Sequence, residues 1–353
     1  WDIAHISSDW IKEAIKATAV ENLDPFIHNT EINLAHWPES LTRRKFHENK
    51  IYSIPFHDGP ECLIYRKDLF ENKTHQSAYY EQFNKELAPP ETWEDFHNIA
   101  VFFSGTNDRF YGTALAAFPD RHNAVYDFCI QAWTRGDNFI KPDNTINVYS
   151  ETIIEGLKYY RNLFRDKNAV HPDSKNFDSV QLGEAFARGE LAMMINWFGF
   201  AAYAELDKNA AIKGKIDVAP IPHSAAANSV SPNSYWMYGI GAGSNKKKTA
   251  YDFIRFTTDP QQDKALTLNG GIGCRIATWH DDEINAKIPY LHKLEALHQN
   301  SFELPDIPHW HELSKMIDNI MLCTVNSNDA IANILPDAPD FIHPTSSYTC
   351  AYR

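Results

Sequence analysis

The sequence is short of cysteine, of basic charge and of long apolar runs. Its five cysteines, Cys62, Cys129, Cys274, Cys323 and Cys350, are scattered through 353 residues. None forms a CxxC pair or a zinc-ligand spacing, so a dense disulfide framework and a zinc ribbon are both excluded. The odd count leaves at least one thiol unpaired within the chain. No stretch reaches the roughly 18 apolar residues that a membrane-spanning helix needs. Lys and Arg number 33 against 46 Asp and Glu, a formal net charge of −13. The basic run Lys246-Lys247-Lys248 reads as a solvated helix start. Nucleic acid is therefore not an expected partner, because phosphate backbones demand clustered cations. Signatures of familiar chemistry are missing too: there is no G-x-S-x-G elbow, no H-E-x-x-H and no G-x-G-x-x-G after a strand. A signal peptide is also lacking, since Trp1-Asp2-Ile3-Ala4 already reads as a strand. That leaves a cytoplasmic protein or a processed or truncated exported one.

What is present points to a large α/β protein. The length exceeds one ordinary core and suits two lobes. Short apolar strands alternate with amphipathic helices. Strands are expected at Asp2 to Ile6, Lys50 to Phe56, Cys62 to Tyr65, Tyr111 to Ala116, Leu191 to Ile195 and Ile216 to Ile221. Ser8 or Asp9 should cap a helix starting near Trp10. Thr92 should cap another, with Asp95 at its third position and Trp93, Phe96, Ile99, Ala100 and Phe103 on one face. Ser150 precedes a helix whose stripe is Ile154, Leu157, Tyr160, Leu163 and Phe164. A helix from Asp178 to Arg188 should close at Gly189. Ser244 should cap a further helix that Asp259-Pro260 ends, and Leu313 to Leu322 is helical. The tail after Pro336 reads as irregular.

Aromatic residues reach 13% of the chain. A surplus of Trp and Tyr suits a site that stacks on flat apolar ligand faces. Sugars need such a platform together with planar side chains, such as Asp, Asn and Arg, that bond hydroxyls in pairs. Open α/β sheets offer these groups at strand ends and in the loops after them. The candidates by that logic are Asp9 and Trp10 after the first strand, Asp58 in the turn His57-Asp58-Gly59, Asn196 and Trp197 after Ile195, and Arg275 after the glycine-rich Gly270 to Gly273. Several have structural alternatives: Asp9 as a helix cap, Asp58 as an ordinary turn acid and Trp197 as a core residue. His309-Trp310-His311-Glu312 lacks an evident third ligand, so neither a metal nor another cofactor is expected.

Several segments resemble, in order and spacing, the extracellular solute-binding proteins of ABC importers, in the sugar-binding group that includes the maltose-binding proteins. They are Asp2 to Ile6 with Asp9-Trp10, Lys50 to Phe56, Tyr65 to Phe70, Pro90 to Phe96 and Tyr111 to Ala114. Ala185 to Met194, Asn196-Trp197 and Gly270 to Gly273 complete the likeness, which extends to about residue 334. The resemblance implies a two-lobed periplasmic-binding-protein fold with a hinge and an interlobe cleft. One lobe would comprise residues 1–112 with 238–272, the other 113–237 with 273–353, with chain crossings near Gly112, Trp236 to Gly239 and Gly271 to Arg275. It also implies a periplasmic or extracellular monomer that binds a mono- or oligosaccharide and delivers it to the membrane subunits of an importer. To the candidate site residues the resemblance adds Trp133 and Asp137, flanking Arg135-Gly136, and Trp236 in Ser234 to Gly239. Two departures stand out. The family's opening strand–helix–strand unit is absent ahead of Trp1, so the first sheet should be completed by another segment or left with an open edge. The tail from Leu335 to Arg353 departs from the family's final helix. The competing function is a carbohydrate hydrolase using two of Asp9, Asp58 and Asp137, which cleavage of labelled oligosaccharides would reveal.

Overall fold

The structure, a computed structural model, describes residues 1–27, 34–42, 46–47, 49–105, 109–120, 122–141, 146–305, 307 and 310–335. The principal strands are β1 (Ile3–Ser7), β2 (Ile54–His57), β3 (Glu61–Arg66), β4 (Met193–Trp197), β5 (Ile216–Ala219) and β6 (Trp236–Ile240). The main helices are α1 (Ile11–Lys16), α2 (Trp93–Phe103), α3 (Asn123–Trp133), α4 (Glu151–Arg165), α5 (Ser179–Ala187) and α6 (Phe198–Leu206). They continue with α7 (Lys247–Thr257), α8 (Pro260–Leu268), α9 (Leu294–Gln299) and α10 (Trp310–Asn326). Among the described residues, no helix is long and apolar enough to cross a membrane.

The chain forms two compact units. Unit 1 holds Trp1–Glu61, Trp197–Lys208 and Asn233–Asp306; unit 2 holds Cys62–Asn196, Asn209–Pro232 and Ile307–Arg353. This division differs from the expected boundaries of 1–112 with 238–272 and 113–237 with 273–353. The cause is strand pairing. β3 joins β4 and β5 in one sheet, so the chain leaves unit 1 at Glu61 and not at Gly112. Nor does a crossing occur near Gly271, because the loop after α8 is tied back into unit 1: the Asp58 N–H donates to the Ile272 carbonyl.

Unit 1 is built on the sheet β1-β6-β2, with β6 antiparallel to both neighbours. β1 lies at the sheet's edge. The register sets Ile3 opposite Ile240, His5 opposite Tyr238 and Ser7 opposite Trp236. Because side chains alternate along a strand, His5, Ser7, Trp236 and Tyr238 share one face. Met237 and Gly239 occupy the other, where Met237 is fully buried. α7 packs against β6. Ser244 does not cap it: Lys246 holds the N-cap position without a side-chain bond, while Ser244 Oγ donates to Asp2 Oδ1 at 2.5 Å and accepts from Lys246 N–H. α1 likewise begins at Ile11 behind an uncapping Trp10. Asp9 is drawn elsewhere, accepting a hydrogen bond from Ser234 Oγ at 3.0 Å.

Unit 2 carries the sheet β4-β3-β5 and a cluster in which α3, α4 and α10 pack on one another. The expected helix starts hold here. Thr92 accepts from the Asp95 N–H and donates to its carboxylate, and the predicted stripe Trp93, Phe96, Ile99, Ala100 and Phe103 is buried. Ser150 caps α4, although its buried stripe runs through Ile153 instead of Ile154 and excludes Phe164. Asp178 and Gln181 form a reciprocal capping box on α5, and Gly189 beyond its end adopts φ +80°. Such positive φ costs glycine little, which is why the helix stops there. α10 covers the helix expected at Leu313 to Leu322, and in unit 1 Asp259 caps α8 ahead of Pro260.

Three strands differ from expectation. Lys50 to Phe56 breaks into Lys50–Ile51 and Ile54–His57. Tyr111 to Ala116 forms only single bridges, Tyr111 to Leu191 and Thr113 to Val170. The chain passes so close to α2 there that a side chain at Gly112 would meet the Ala100 carbonyl at 1.9 Å. The strand read as Leu191 to Ile195 lies at Met193–Trp197, so Trp197 ends β4 and stands at the N-cap of α6. His309 and the tail after Pro336 lie outside the described residues.

Candidate functional site

The ends of β1 and β2 and the start of β6 meet at one end of the unit 1 sheet, where Trp236 pairs with both Ser7 and His57. A ladder of hydroxyls organises this end. Ser7 Oγ and Ser234 Oγ lie 3.0 Å apart, Ser234 Oγ donates to Asp9 Oδ2 at 3.0 Å, and the Asp9 N–H donates to Ser7 Oγ at 3.3 Å. Backbone bonds reinforce it, with the Ser8 N–H donating to the Tyr235 carbonyl at 2.8 Å. The Asp9 carboxylate is thereby oriented, and two indoles accompany it: Trp10 next in the chain and Trp236 just beyond Ser234. Trp10 is 60% exposed and Trp236 is 38% exposed. Large apolar side chains left so open are informative because burial would stabilise them.

An aromatic cluster supports Trp236 from below. His5 lies 5.3 Å from the Trp236 ring, 4.9 Å from Tyr238 and 5.0 Å from Phe56. Burial lowers the His5 pKa and the neighbouring His57 lowers it further. His57 is also lowered, chiefly by burial, against the opposing charge of Asp58; its Nδ1 accepts from the Ile272 N–H. Both imidazoles are therefore held toward their neutral forms. The ladder thus combines a carboxylate with hydroxyls, uncharged imidazoles and open indole faces. Such a set can accept and donate hydrogen bonds to hydroxyl groups while stacking on C–H faces.

The remaining sequence candidates stand elsewhere. Asp58 is not exposed, as its turn suggested, but buried. It accepts from His298 Nε2 at 2.7 Å and from Asn233 Nδ2 at 3.0 Å. Burial pushes its carboxyl up, yet the charge and hydrogen bond of His298 and the bond from Asn233 outweigh this and bring the pKa below the ordinary value. Arg275 is buried; its guanidinium donates twice to the Thr258 carbonyl, contacts His36 Nδ1 and lies 4.1 Å over the Trp37 ring. Trp197 is half-buried, and the next residue's N–H donates to the Pro60 carbonyl beside the end of β2. The other three lie in unit 2. Trp133 is buried and stacks on Phe139 at 6.2 Å, Asp137 accepts from Ser150 Oγ, and Asn196 is buried with its Nδ2 donating to the Ser179 carbonyl. Arg135 lies over both the Trp93 and Tyr159 rings and donates to Gln131.

Sequence reasoning missed Ser7, Ser234, His5 and His57. The alternation of β1 carried a usable signal, since it places His5 and Ser7 on one face. The pairing of β1 with a strand more than 200 residues away carried none.

The profile of the bacterial extracellular solute-binding protein family matches residues 1–264. The chain belongs to this family. Among curated proteins it is 22% identical over 279 residues to a "Probable ABC transporter-binding protein" of Deinococcus radiodurans, covering 77% of this chain and 62% of that one. The chain thus spans less than two thirds of that relative's length. Solved binding proteins share the fold. A maltose-bound MalE3 of T. maritima superposes with TM-score 0.81 at 19% identity, over 94% of this chain and 81% of the other. A ribitol-bound ABC transporter solute-binding protein of Agrobacterium radiobacter gives TM-score 0.83 at 19% identity, over 96% and 83%. One from Agrobacterium vitis with bound D-mannitol gives TM-score 0.80 at 15% identity, again over 96% and 83%. The architecture is accordingly the two-lobed α/β fold of periplasmic binding proteins.

Proposed function

We propose that this solute-binding protein captures an uncharged sugar or polyol at the strand ends of unit 1 and delivers it to the membrane subunits of an ABC importer. The protein would work outside the cytoplasmic membrane. Asp9 accepts hydrogen bonds from adjacent ligand hydroxyls, with Ser234 holding its carboxylate and Ser7 its backbone N–H in position. Trp10 and Trp236 stack on the apolar faces of the ring or chain, and Trp197 adds a third indole beside the end of β2. The observation that carries this reading is the open pair of indoles around an oriented carboxylate.

An uncharged ligand is favoured over an acidic one. The two arginines that could clamp an anion, Arg135 and Arg275, are each engaged by carbonyls or amides and by aromatic rings of their own unit. Asp9, next to Trp10 in the chain and bonded by the Ser234 hydroxyl, is instead an acid, which repels a carboxylate or phosphate. Titration calorimetry with maltose, ribitol, D-mannitol and tagatose, each beside a uronic acid or sugar phosphate, tests the reading. The expected result is heat from at least one neutral compound and none from the acids. Heat from the acids alone would refute it. Hydrolysis has weaker support, because Asp58 is buried against His298 and Asp137 lies in unit 2 against Ser150.

A further inference from the structure

Behind the strand ends of unit 1 runs a buried chain of four polar side chains. Ser40 Oγ lies 2.9 Å from His298 Nδ1, His298 Nε2 lies 2.7 Å from Asp58 Oδ2, and Asn233 Nδ2 donates to Asp58 Oδ1 at 3.0 Å. All four residues are at most 6% exposed. The His298 ring is clamped against Trp279, 4.7 Å away and nearly parallel, and the Trp279 indole N–H donates to the Gly273 carbonyl. Four segments far apart in sequence are thus joined: the short helix Glu39–Thr42, the end of β2, the strand Ser231–Asn233, which pairs with Ser301–Glu303, and α9.

The two ends of the chain have different settings. Ser40 and His298 lie on helices. Asn233 is the residue at which the polypeptide re-enters unit 1, and Ser234, Tyr235 and Trp236 come directly after it. Ser234 orients Asp9, and Trp236 is one of the open indoles. Side chains of the β1 end hold the segment here: Ser234 bonds Ser7 and Asp9, and Tyr235 bonds Ser8. Pairing within the β1-β6-β2 sheet begins only at Trp236. A displacement at Asn233 would therefore pass straight to Ser234 and Trp236.

We infer that the Ser40–His298–Asp58–Asn233 chain is a positioning device for ligand binding, with Asp58 setting the place of Asn233 and so of Ser234 and Trp236. Asp58 then acts on affinity without touching the ligand. Ser40 suits the far end of such a chain, because a hydroxyl can donate to or accept from the imidazole nitrogen it faces. The inference rests on the proposed site at Asp9 and Trp236 for its link to affinity, but its link to the segment can be tested without any ligand.

Amide hydrogen exchange of the ligand-free protein supplies the first test. Asn233→Ala and His298→Gln should each raise exchange of the Ser234, Tyr235 and Trp236 amides at least tenfold. Amides of unit 2 should keep their rates, which separates a local release from general destabilisation. Unchanged exchange in this segment for both variants would overturn the inference. The second test is a double-mutant cycle by calorimetry, using whichever of maltose, ribitol, D-mannitol or tagatose binds the wild type. Asn233→Ala should weaken binding at least fivefold in the wild type and less than twofold when Trp236 is already Ala, because the lost interaction is the one Asn233 positions. Independent, multiplying losses would overturn it. Wild-type affinity in Trp236→Ala would instead remove the proposed site, while the exchange result would still decide whether the chain holds the segment.

Discussion

A tryptophan earns a ligand role by what it leaves open. Trp133 and Trp197 look alike in sequence, since each follows an apolar segment, yet Trp133 is buried on Phe139 while Trp197 is only half-buried. Trp10 and Trp236 are more open still. Replacing a core Trp by Ala costs roughly 3–5 kcal/mol of stability. Trp236→Ala should cost far less, leaving the ligand-free melting temperature within a few degrees while weakening sugar binding at least about tenfold, or ~1.4 kcal/mol. Calorimetry and thermal melts on the same sample check both halves. Trp197→Ala is predicted to behave in the same way, and full affinity in that folded variant would remove it from the site. Asp58 belongs to the opposite class. Removing the donor to a buried carboxylate leaves that acceptor unsatisfied, so His298→Ala should destabilise unit 1 by about 1–3 kcal/mol or more. The Asp58 carboxyl has a lowered pKa in the folded protein, so its stabilisation is present above the ordinary value of 3.8 and fades as pH falls through its folded value. Melts between pH 6 and pH 3 should show an acid-side loss that Asp58→Asn lacks. Sequence could list these residues but could not sort them, because their burial depends on partners such as His298 and Phe139 that no local pattern names.

Helix starts were more legible than strands. Thr92, Ser150, Asp178 and Asp259 each announce a helix through a side chain that satisfies nearby N–H groups, an interaction contained within a few residues. Thr92→Ala should therefore cost about 1 kcal/mol in unit 2, measurable by urea denaturation, with sugar affinity unchanged. Ser8, Asp9 and Ser244 have the same chemistry but were claimed by distant partners, so the same rule failed for α1 and α7. Strand limits also depend on distant partners, which is why β4 lies two residues beyond its expected position and why Tyr111 to Ala116 pairs only in single bridges. α3 carries a buried acid, Asp127, that accepts from Tyr160 of α4 at 2.6 Å. Burial is the main reason its pKa is raised to about 7. An acid with a raised pKa is bound to its proton more tightly when folded, so its favourable contribution is complete below pH 3.8 and is lost as pH rises toward 7. Asp127→Asn keeps an acceptor for Tyr160 without the charge. Its melting temperature should exceed that of the wild type at pH 8, and the gap should shrink as pH falls to 4. A gap that widens toward low pH would contradict this account of α3.

At the scale of the whole molecule, the α/β class and the family were legible because ordered motifs such as Tyr65 to Phe70 and Ala185 to Met194 recur in sequence whatever the strands pair with. The unit boundaries were not, since they follow from β3 choosing β4 and β5 and from Asp58 and Ile272 tying the loop after α8 to unit 1. The same long-range pairing builds the proposed site, by bringing Ser234 and Trp236 to Ser7 and Asp9 across more than 200 residues. The central claim is that this surface binds an uncharged polyhydroxylated solute through an oriented carboxylate and open indoles. Titration of the wild type and of Asp9→Ala with maltose, ribitol, D-mannitol and tagatose tests it most directly. The account predicts one-to-one binding of at least one of these compounds and a loss of at least about tenfold in affinity, ~1.4 kcal/mol, on removing the carboxylate. Binding of a neutral sugar with the same Kd in the folded Asp9→Ala protein would contradict it.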